Sequence, residues 1–178
     1  RFDSIMQACK TLGFTQLFMP SVPPEERQSA DPYWTFLGRE LGQMAWRAKT
    51  HGVQLGYHNH NWEFSNQIDG APALYTFIDA LRDDVVLEID TFWAEVGGQS
   101  APEVLRKLGE RVVAIHVKDG NRNGDVNLQV PAGQGEIPVR EVLAAAPHAL
   151  PVIEFDVYAG GDVFDGIAES LKFVNGAR

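Results

Sequence analysis

The sequence predicts a parallel α/β fold, and more narrowly the C-terminal part of a larger (β/α)8 barrel. Short apolar runs alternate with stretches of helical periodicity along the 178 residues, as a parallel sheet covered by helices requires. The runs end in polar residues, and the carboxyl ends of strands are where open α/β sheets and barrels carry their sites. The count falls short of a closed barrel. An eight-unit barrel needs about 250 residues, whereas five runs are present and the chain opens on a helix with no strand ahead of it.

Each element follows from a local signal. Ser4 to Leu12 is predicted helical, with Gly13 as its terminator. Phe14–Met19 is the first apolar run, and the prolines 20, 23 and 24 make the loop after it. Asp31–Pro32 predicts a helix start, with Asp31 as N-cap and Pro32 at the first helical position. Trp34, Leu37, Leu41, Met44, Ala45 and Ala48 supply its buried stripe, and Gly52 stops it. Val53–His60 is the second run; after a loop, Ala73–Leu81 is helical. Val85–Asp90 is the third run, Pro102–Leu108 a helix, and Val112–Lys118 the fourth run. The Gly-rich stretch Asp119–Pro138 precedes a short helix over Val139–Ala145. Pro151–Asp156 is the fifth run, and Phe164–Val174 closes the chain as a helix. The polar run ends recur at 30, 26 and 38 residues, from His60 to Asp90, His116 and Glu154. No linker interrupts this order, so residues 1–178 are expected to be one domain, N-terminally incomplete as a barrel.

Composition excludes several classes. With 44% hydrophobic residues the chain has the material for a folded core, and no run of 18 apolar residues suits a membrane span. Fifteen Lys and Arg against 24 Asp and Glu give a net charge of −9, which repels a phosphate backbone and argues against nucleic acid. The single cysteine, Cys9, excludes an intrachain disulfide and a Cys-based zinc site. The sequence as given opens with no basic-then-apolar leader, and a cytoplasmic location is the expectation. Association into a homo-oligomer is left open.

In a strand, residues two apart face the same way. The runs therefore pair His58 with His60, Glu88 with Asp90, His116 with Lys118, and Glu154 with Asp156. Imidazoles and carboxylates converging at the mouth of a barrel form a mixed N/O set suited to a divalent metal such as Mn, Zn, Co or Mg. Each residue also has a plainer reading. A strand-end histidine is commonly a hydrogen-bonded core residue, Glu88 can be a carboxylate paired with a basic neighbour, and Lys118 can reach out to solvent. Asp119-Gly120 and Asn123-Gly124 read as turns, and Trp62, Phe92 and Trp93 as packing, although aromatic walls also suit sugar faces. Four polar strand ends in successive units outweigh the plain readings, because buried charges need partners.

The segments Val53-Gln-Leu-Gly-Tyr-His-Asn-His-Asn-Trp-Glu-Phe64, Leu87-Glu-Ile-Asp-Thr-Phe-Trp93, Ala114-Ile-His-Val-Lys-Asp119, Gly133-Gln-Gly-Glu-Ile137 and Val152-Ile-Glu-Phe-Asp156 resemble the sugar phosphate isomerase/epimerase family. This is the xylose-isomerase-like branch of the TIM barrels. The resemblance covers nearly the whole chain and implies strands four to eight of the barrel. It also implies a divalent metal, most often Mn, with one ligand from each of the last four strands: Asp90, His116 and Glu154, and His58 in place of the glutamate that ketose epimerases carry, His60 being second choice. That exchange disturbs a scheme of two opposed glutamates, for which Glu63 is the available second carboxylate.

The chemistry implied is proton abstraction next to a carbonyl through an enediolate. Glu154, His58, Glu63 and Lys118 are the acid/base and polarising candidates; His60, Trp93, Lys118 and Glu136 are the substrate-binding ones. The first expectation is a metal-dependent isomerase or epimerase of a sugar or keto-sugar. The second is a dehydratase or lyase on a keto-sugar or inosose, which the histidine exchange favours. The third is a non-catalytic sugar-binding barrel. Endonuclease chemistry is disfavoured by the net acidic charge. The long loop Lys118–Pro138 is expected to act as a lid, its glycines Gly133 and Gly135 letting backbone approach a ligand.

Overall fold

A computed structural model describes residues 1–177. The chain forms two compact units, one built from Arg1–His58 and Trp62–Leu87, the other from Asn59–Asn61 and the chain from Glu88 onward. Helix α1 (Phe2–Leu12) ends at Gly13, whose φ of 75° takes the left-handed turn that glycine accepts without strain. Strand β1 (Gln16–Met19) and strand β2 (Gln54–His58) lie parallel, with Gln16 opposite Gln54 and Met19 opposite Tyr57. Between them runs α2 (Asp31–Lys49).

Helix α2 departs from expectation in two ways. Asp31 is its first residue rather than its cap; Ala30 holds the cap position, and the Asp31 carboxylate accepts from Thr35 Oγ1 at 2.7 Å. An acidic residue in the first turn still favours the helix through its dipole. The buried stripe is Trp34, Gly38, Leu41, Gly42, Ala45 and Ala48, with Met44 exposed and Leu37 half-buried. Gly38 is there because α4 (Ala73–Ala80) packs against it, and Gly42 because Arg82, just beyond α4, crosses it. A Cβ on Gly38 would stand 2.6 Å from the Phe77 carbonyl oxygen. Trp34, Tyr57, Phe64, Leu74 and Phe77 fill this core, with the Tyr57 and Phe77 rings 4.5 Å apart between centroids.

Residues 61–72, expected as a loop, contain the single turn α3 (Trp62–Ser65) and a hairpin of β3 (Gln67–Ile68) and β4 (Ala71–Pro72). Its two-residue Asp69-Gly70 turn has φ of 50° and 82°, the pattern of a tight hairpin turn.

Strand β5 (Val86–Asp90) passes from the first unit into the second. The first unit orders its strands β1-β2-β5 and the second β5-β6-β7, with β6 (Val112–Val117) and β7 (Leu150–Ile153) parallel, His116 opposite Val152. Helix α5 (Thr91–Val96) follows β5 without a loop, a helix the apolar pattern did not announce. Its signal is the cap: Asp90 accepts from the Trp93 N–H at 3.0 Å. Helices α6 (Ala101–Leu108), α7 (Val139–Ala145) and α8 (Val163–Ala177) lie where their periodicity puts them. Ile89, Phe92, Leu105, Ile115 and Leu143 are the buried core of the second unit.

Strands β2 and β7 stop earlier than the apolar runs. Beyond His58, the Asn59 side chain replaces ladder bonds: its Oδ1 accepts from Asp90 N at 3.0 Å and its Nδ2 donates to Asp90 O at 3.2 Å. The period-two argument therefore does not extend to His60. Beyond Ile153, Glu154 and Asp156 sit on irregular backbone, where Gln129 Oε1 accepts from Asp156 N at 2.8 Å.

Candidate metal centre

The second unit gathers side chains from the ends of β5, β6 and β7 into one charged cluster. His116 stands at its centre. Its Nδ1 is 2.6 Å from Glu154 Oε2 and 3.7 Å from Asp90 Oδ2, and its Nε2 is 3.3 Å from Glu88 Oε2. Lys118 Nζ reaches Asp90 Oδ2 at 2.8 Å, Glu154 Oε2 at 2.6 Å and Asp156 Oδ2 at 3.0 Å. Asp90 is fully buried and the Lys118 side chain 2% exposed, while Glu154 is 38% exposed. Period two put Glu88 beside Asp90 and His116 beside Lys118 on one face. The contacts follow from that alternation on neighbouring strands.

Burial and pairing pull the titrations in opposite directions. For His116, burial alone lowers the pKa, but hydrogen bonds to Asp90, Glu154 and Glu88 outweigh it and hold it at about 11. Burial raises Glu154, yet His116 and Lys118 bring it down to about 2. Asp90 behaves alike: burial works against its ionised form, and His116 and Lys118 restore it to below the usual carboxylate value. Burial also works against the Lys118 ammonium, which Asp90 and Glu154 nonetheless keep charged, its pKa raised above the ordinary lysine value.

The donor set fits a divalent cation. Four carboxylates (Glu88, Asp90, Glu154, Asp156) face two cations (His116, Lys118), leaving two formal negative charges in the cluster. The His116 imidazole nitrogen lies 2.6 Å from a Glu154 oxygen and 3.7 Å from an Asp90 oxygen, and such an N/O mixture suits Zn, Mn or Co. Lys118 Nζ holds two of those same oxygens.

His58 is the last residue of β2 and buried within the first unit. Glu63, on α3, is fully buried rather than solvent-facing, and Tyr57 Oη donates to its Oε1 at 2.6 Å. His60 and Trp93 come together in the second unit, ring centroids 6.3 Å apart, and Lys118 Nζ lies 5.9 Å from the Trp93 ring. Lys118 does not extend to solvent; three carboxylates take its ammonium. Glu136 is exposed and tied to its own loop, its Oε2 accepting from Arg122 N at 3.1 Å.

Two residues that read as ordinary polar positions organise the site. Asp119 is not a simple turn residue: its buried carboxylate accepts from the N–H groups of Gly120 and Ile137 on Oδ1 and of Gly133 and Gly135 on Oδ2, at 2.8 to 3.0 Å. It thereby folds the loop 119–138 onto itself. Gly135 has to be glycine here, since a Cβ would collide with the Asp119 carboxylate and the Gly120 nitrogen. An aspartate two residues past a strand, followed by a glycine-rich return, is the signal that could have found it. Gln129, also buried, donates from Nε2 to Asp156 Oδ2 at 2.7 Å and fixes the third carboxylate on Lys118.

The charged side chains thus stand at the ends of parallel strands in (β/α) units. Residues 1–151 match the profile of the xylose isomerase-like TIM barrel family. The chain belongs to that family. Among solved structures, a sugar phosphate isomerase/epimerase from Parabacteroides distasonis ATCC 8503 superimposes with a TM-score of 0.81 at 19% identity, covering 97% of this chain and 62% of its own. IOLI protein with a binding zinc atom aligns at TM-score 0.74 and 19% identity, over 99% of this chain and 67% of its own. An L-ribulose 3-epimerase aligns at 0.66 and 17%, over 99% and 65%. Among curated protein sequences none matches the chain. The fold of this xylose isomerase-like chain is thus the parallel α/β fold of TIM barrels, with five of the strands in the main sheet, and it spans 62% of the length of the Parabacteroides protein. Among the described residues no helix is long and apolar enough to cross a membrane.

Proposed function

We propose that this chain carries the metal-binding half of a sugar or keto-sugar isomerase or epimerase. The observation that supports it best is the meeting of His116 Nδ1 with carboxylate oxygens of Glu154 and Asp90, at 2.6 and 3.7 Å. Asp90, His116 and Glu154 would hold the ion, with His58 as the fourth ligand from the end of β2. Mn is the first choice of metal and Zn the second; the zinc bound by the IOLI protein of the same fold supports the second.

Glu154 is the proton acceptor in this reading. Its Oε2 is committed to His116 and Lys118, whereas Oε1 makes no hydrogen bond among the described residues and the side chain is 38% exposed. A carboxyl held near 2 stays ionised at working pH but is a weak base, so the substrate C–H has to be acidified. A bound divalent cation supplies that by polarising the carbonyl and its neighbouring hydroxyl. The C–H proton passes to Glu154 Oε1, the C–H electron pair enters the enediolate, and a second acid returns a proton to the same or the adjacent carbon. Glu63 and His58 are the candidates for that acid. Lys118 has all three N–H groups on carboxylates, so donation to a substrate oxygen requires it to release one, with half-buried Asp156 the least costly. His60 and Trp93 form an aromatic wall that suits a sugar face, and Glu136 reaches substrate only on movement of its loop.

The histidine at position 58 favours a second reading, elimination of a β-hydroxyl from the same enediolate. The metal-loaded protein, incubated with ketoses and keto-sugars in deuterium oxide, separates the two. Carbon-bound deuterium in a product of unchanged formula supports isomerisation or epimerisation, and an ultraviolet-absorbing unsaturated ketone supports elimination. A protein that binds sugars yet exchanges no carbon-bound hydrogen, and that is indifferent to chelator, is a binding module.

A further inference from the structure

Arg27 is a half-buried cation that no anion answers. It lies in the loop after β1, where Pro23 and Pro24 lead into a 3₁₀ turn over Pro24–Glu26. The loop is anchored: the Ser29 carbonyl accepts from Trp34 Nε1 and from Asn66 Nδ2, both at 2.9 Å. The nearest carboxylate along the chain, Glu26, is already engaged, accepting from Ser29 Oγ at 2.6 Å. The Arg27 guanidinium lies over the Trp62 ring, its central carbon 3.6 Å from the centroid. Its Nε is solvent-excluded and has no hydrogen-bond partner, and no ion pair reaches the guanidinium among the described residues.

That combination has a chemical meaning. Stacking uses the face of the guanidinium and leaves its in-plane N–H fork, which matches the two oxygens of a carboxylate or phosphate. A partly desolvated charge held by fixed neighbours, with no internal partner, is a site prepared for an external one. Its place agrees. Strands β1 and β2 are parallel with Met19 opposite Tyr57, so the loop bearing Arg27 leaves the same carboxyl end at which His58 closes β2. Trp62 follows four residues after His58. Carboxyl ends are where (β/α) units bind ligands.

We infer that Arg27, stacked on Trp62, seats an external oxyanion, a phosphate or a carboxylate group, and that an acidic sugar is the ligand that brings it. This rests on the proposed reading that a sugar docks at the carboxyl ends of the strands.

The test uses inorganic phosphate and acetate as separate probes, following the Arg27 Nε–Hε resonance of the ¹⁵N-labelled protein. A saturable shift with phosphate alone assigns a sugar phosphate; one with acetate alone assigns a sugar acid; either supports the inference. Arg27→Gln should bind the effective probe at least about tenfold more weakly, with Arg27→Lys between the two. The absence of any saturable shift in the wild-type protein overturns the inference without recourse to a variant, and so does undiminished binding by a folded Arg27→Gln. Metal retention and deuterium exchange on the same preparation keep the two ideas apart. Anion binding without either would discard the enzymatic reading and leave the anion seat standing. Turnover of neutral sugars only, with no anion binding, would do the reverse.

Discussion

His116 Nδ1 and Glu154 Oε2 stand 2.6 Å apart, a charge-assisted pair joining β6 to the segment after β7. Since Glu88 holds the other ring nitrogen at 3.3 Å, the imidazole is clamped between two carboxylates and is protonated at neutral pH. A metal entering this site has to displace that proton. Addition of Zn or Mn to the metal-free protein should release about one proton per ion, and apparent affinity should climb about tenfold per pH unit below the His116 pKa. Calorimetry in two buffers of different ionisation enthalpy counts the proton. Affinity that is flat between pH 6 and pH 8, within about a factor of two, would show that His116 is not a ligand.

Removal of Asp90 or His116 tests the ligand set directly. Asp90→Ala and His116→Ala should each lower metal retention by at least about a hundredfold, read as metal per chain after dialysis. Asp90→Ala also takes from the buried Lys118 ammonium one of its three carboxylates and uncaps α5, and should cost about 3 kcal/mol in denaturant unfolding. Asp90→Asn keeps an acceptor at the α5 cap and should be milder. Full occupancy in either alanine variant would mean the ion sits elsewhere.

Stability should depend on pH from both sides. The Glu154 carboxyl lies near 2 in the folded chain against an ordinary 4.5, so its contribution is complete above about 4.5 and is lost as pH falls towards 2. His116 runs the other way: raised from 6.5 to about 11, it contributes fully below about 6.5 and that contribution drains away as pH rises to 11. In chelator, Tm should therefore peak between about pH 4.5 and 6.5, and His116→Asn should flatten the alkaline limb. An alkaline limb identical in wild type and variant would remove His116 as its source.

Asp119 holds the 119–138 loop by four backbone N–H bonds. Asp119→Ala should destabilise the protein by about 3 kcal/mol, since buried N–H groups lose a charged acceptor, and should open the loop to protease. Asp119→Asn should recover part of this by keeping one oxygen. Unaltered proteolysis of Asp119→Ala would show that the glycine-rich return folds without its carboxylate.

The strand-end residues were legible because alternation is a local property. Asp90, His116 and Lys118 follow from the period of two and the carboxyl-end rule, and Glu154 lies close enough to β7 for the same reasoning to reach it. His60 was not, because Asn59 turns the chain out of the strand by bonding to the backbone of Asp90, a residue 31 positions away. Asp119 read as a turn since a carboxylate bonded to groups 14 to 18 residues downstream has no local signature. Met44 was placed in the buried stripe of α2 by spacing alone, while the stripe actually runs through Gly38 and Gly42, set by how closely α4 and the Arg82 segment after it approach.

By itself the sequence determined the order of the five main strands and the longer helices between them, the family, and the polar residues that end the strands, because hydrophobic period and turn chemistry act over a few residues at a time. Only the tertiary structure decided which of those residues touch: that Lys118 is taken by three carboxylates, that His116 is clamped by Glu88 and Glu154, and that Arg27 lies on Trp62 without an anion. Charges meet across strands and loops through distances in space, and those depend on packing that no single stretch of chain encodes.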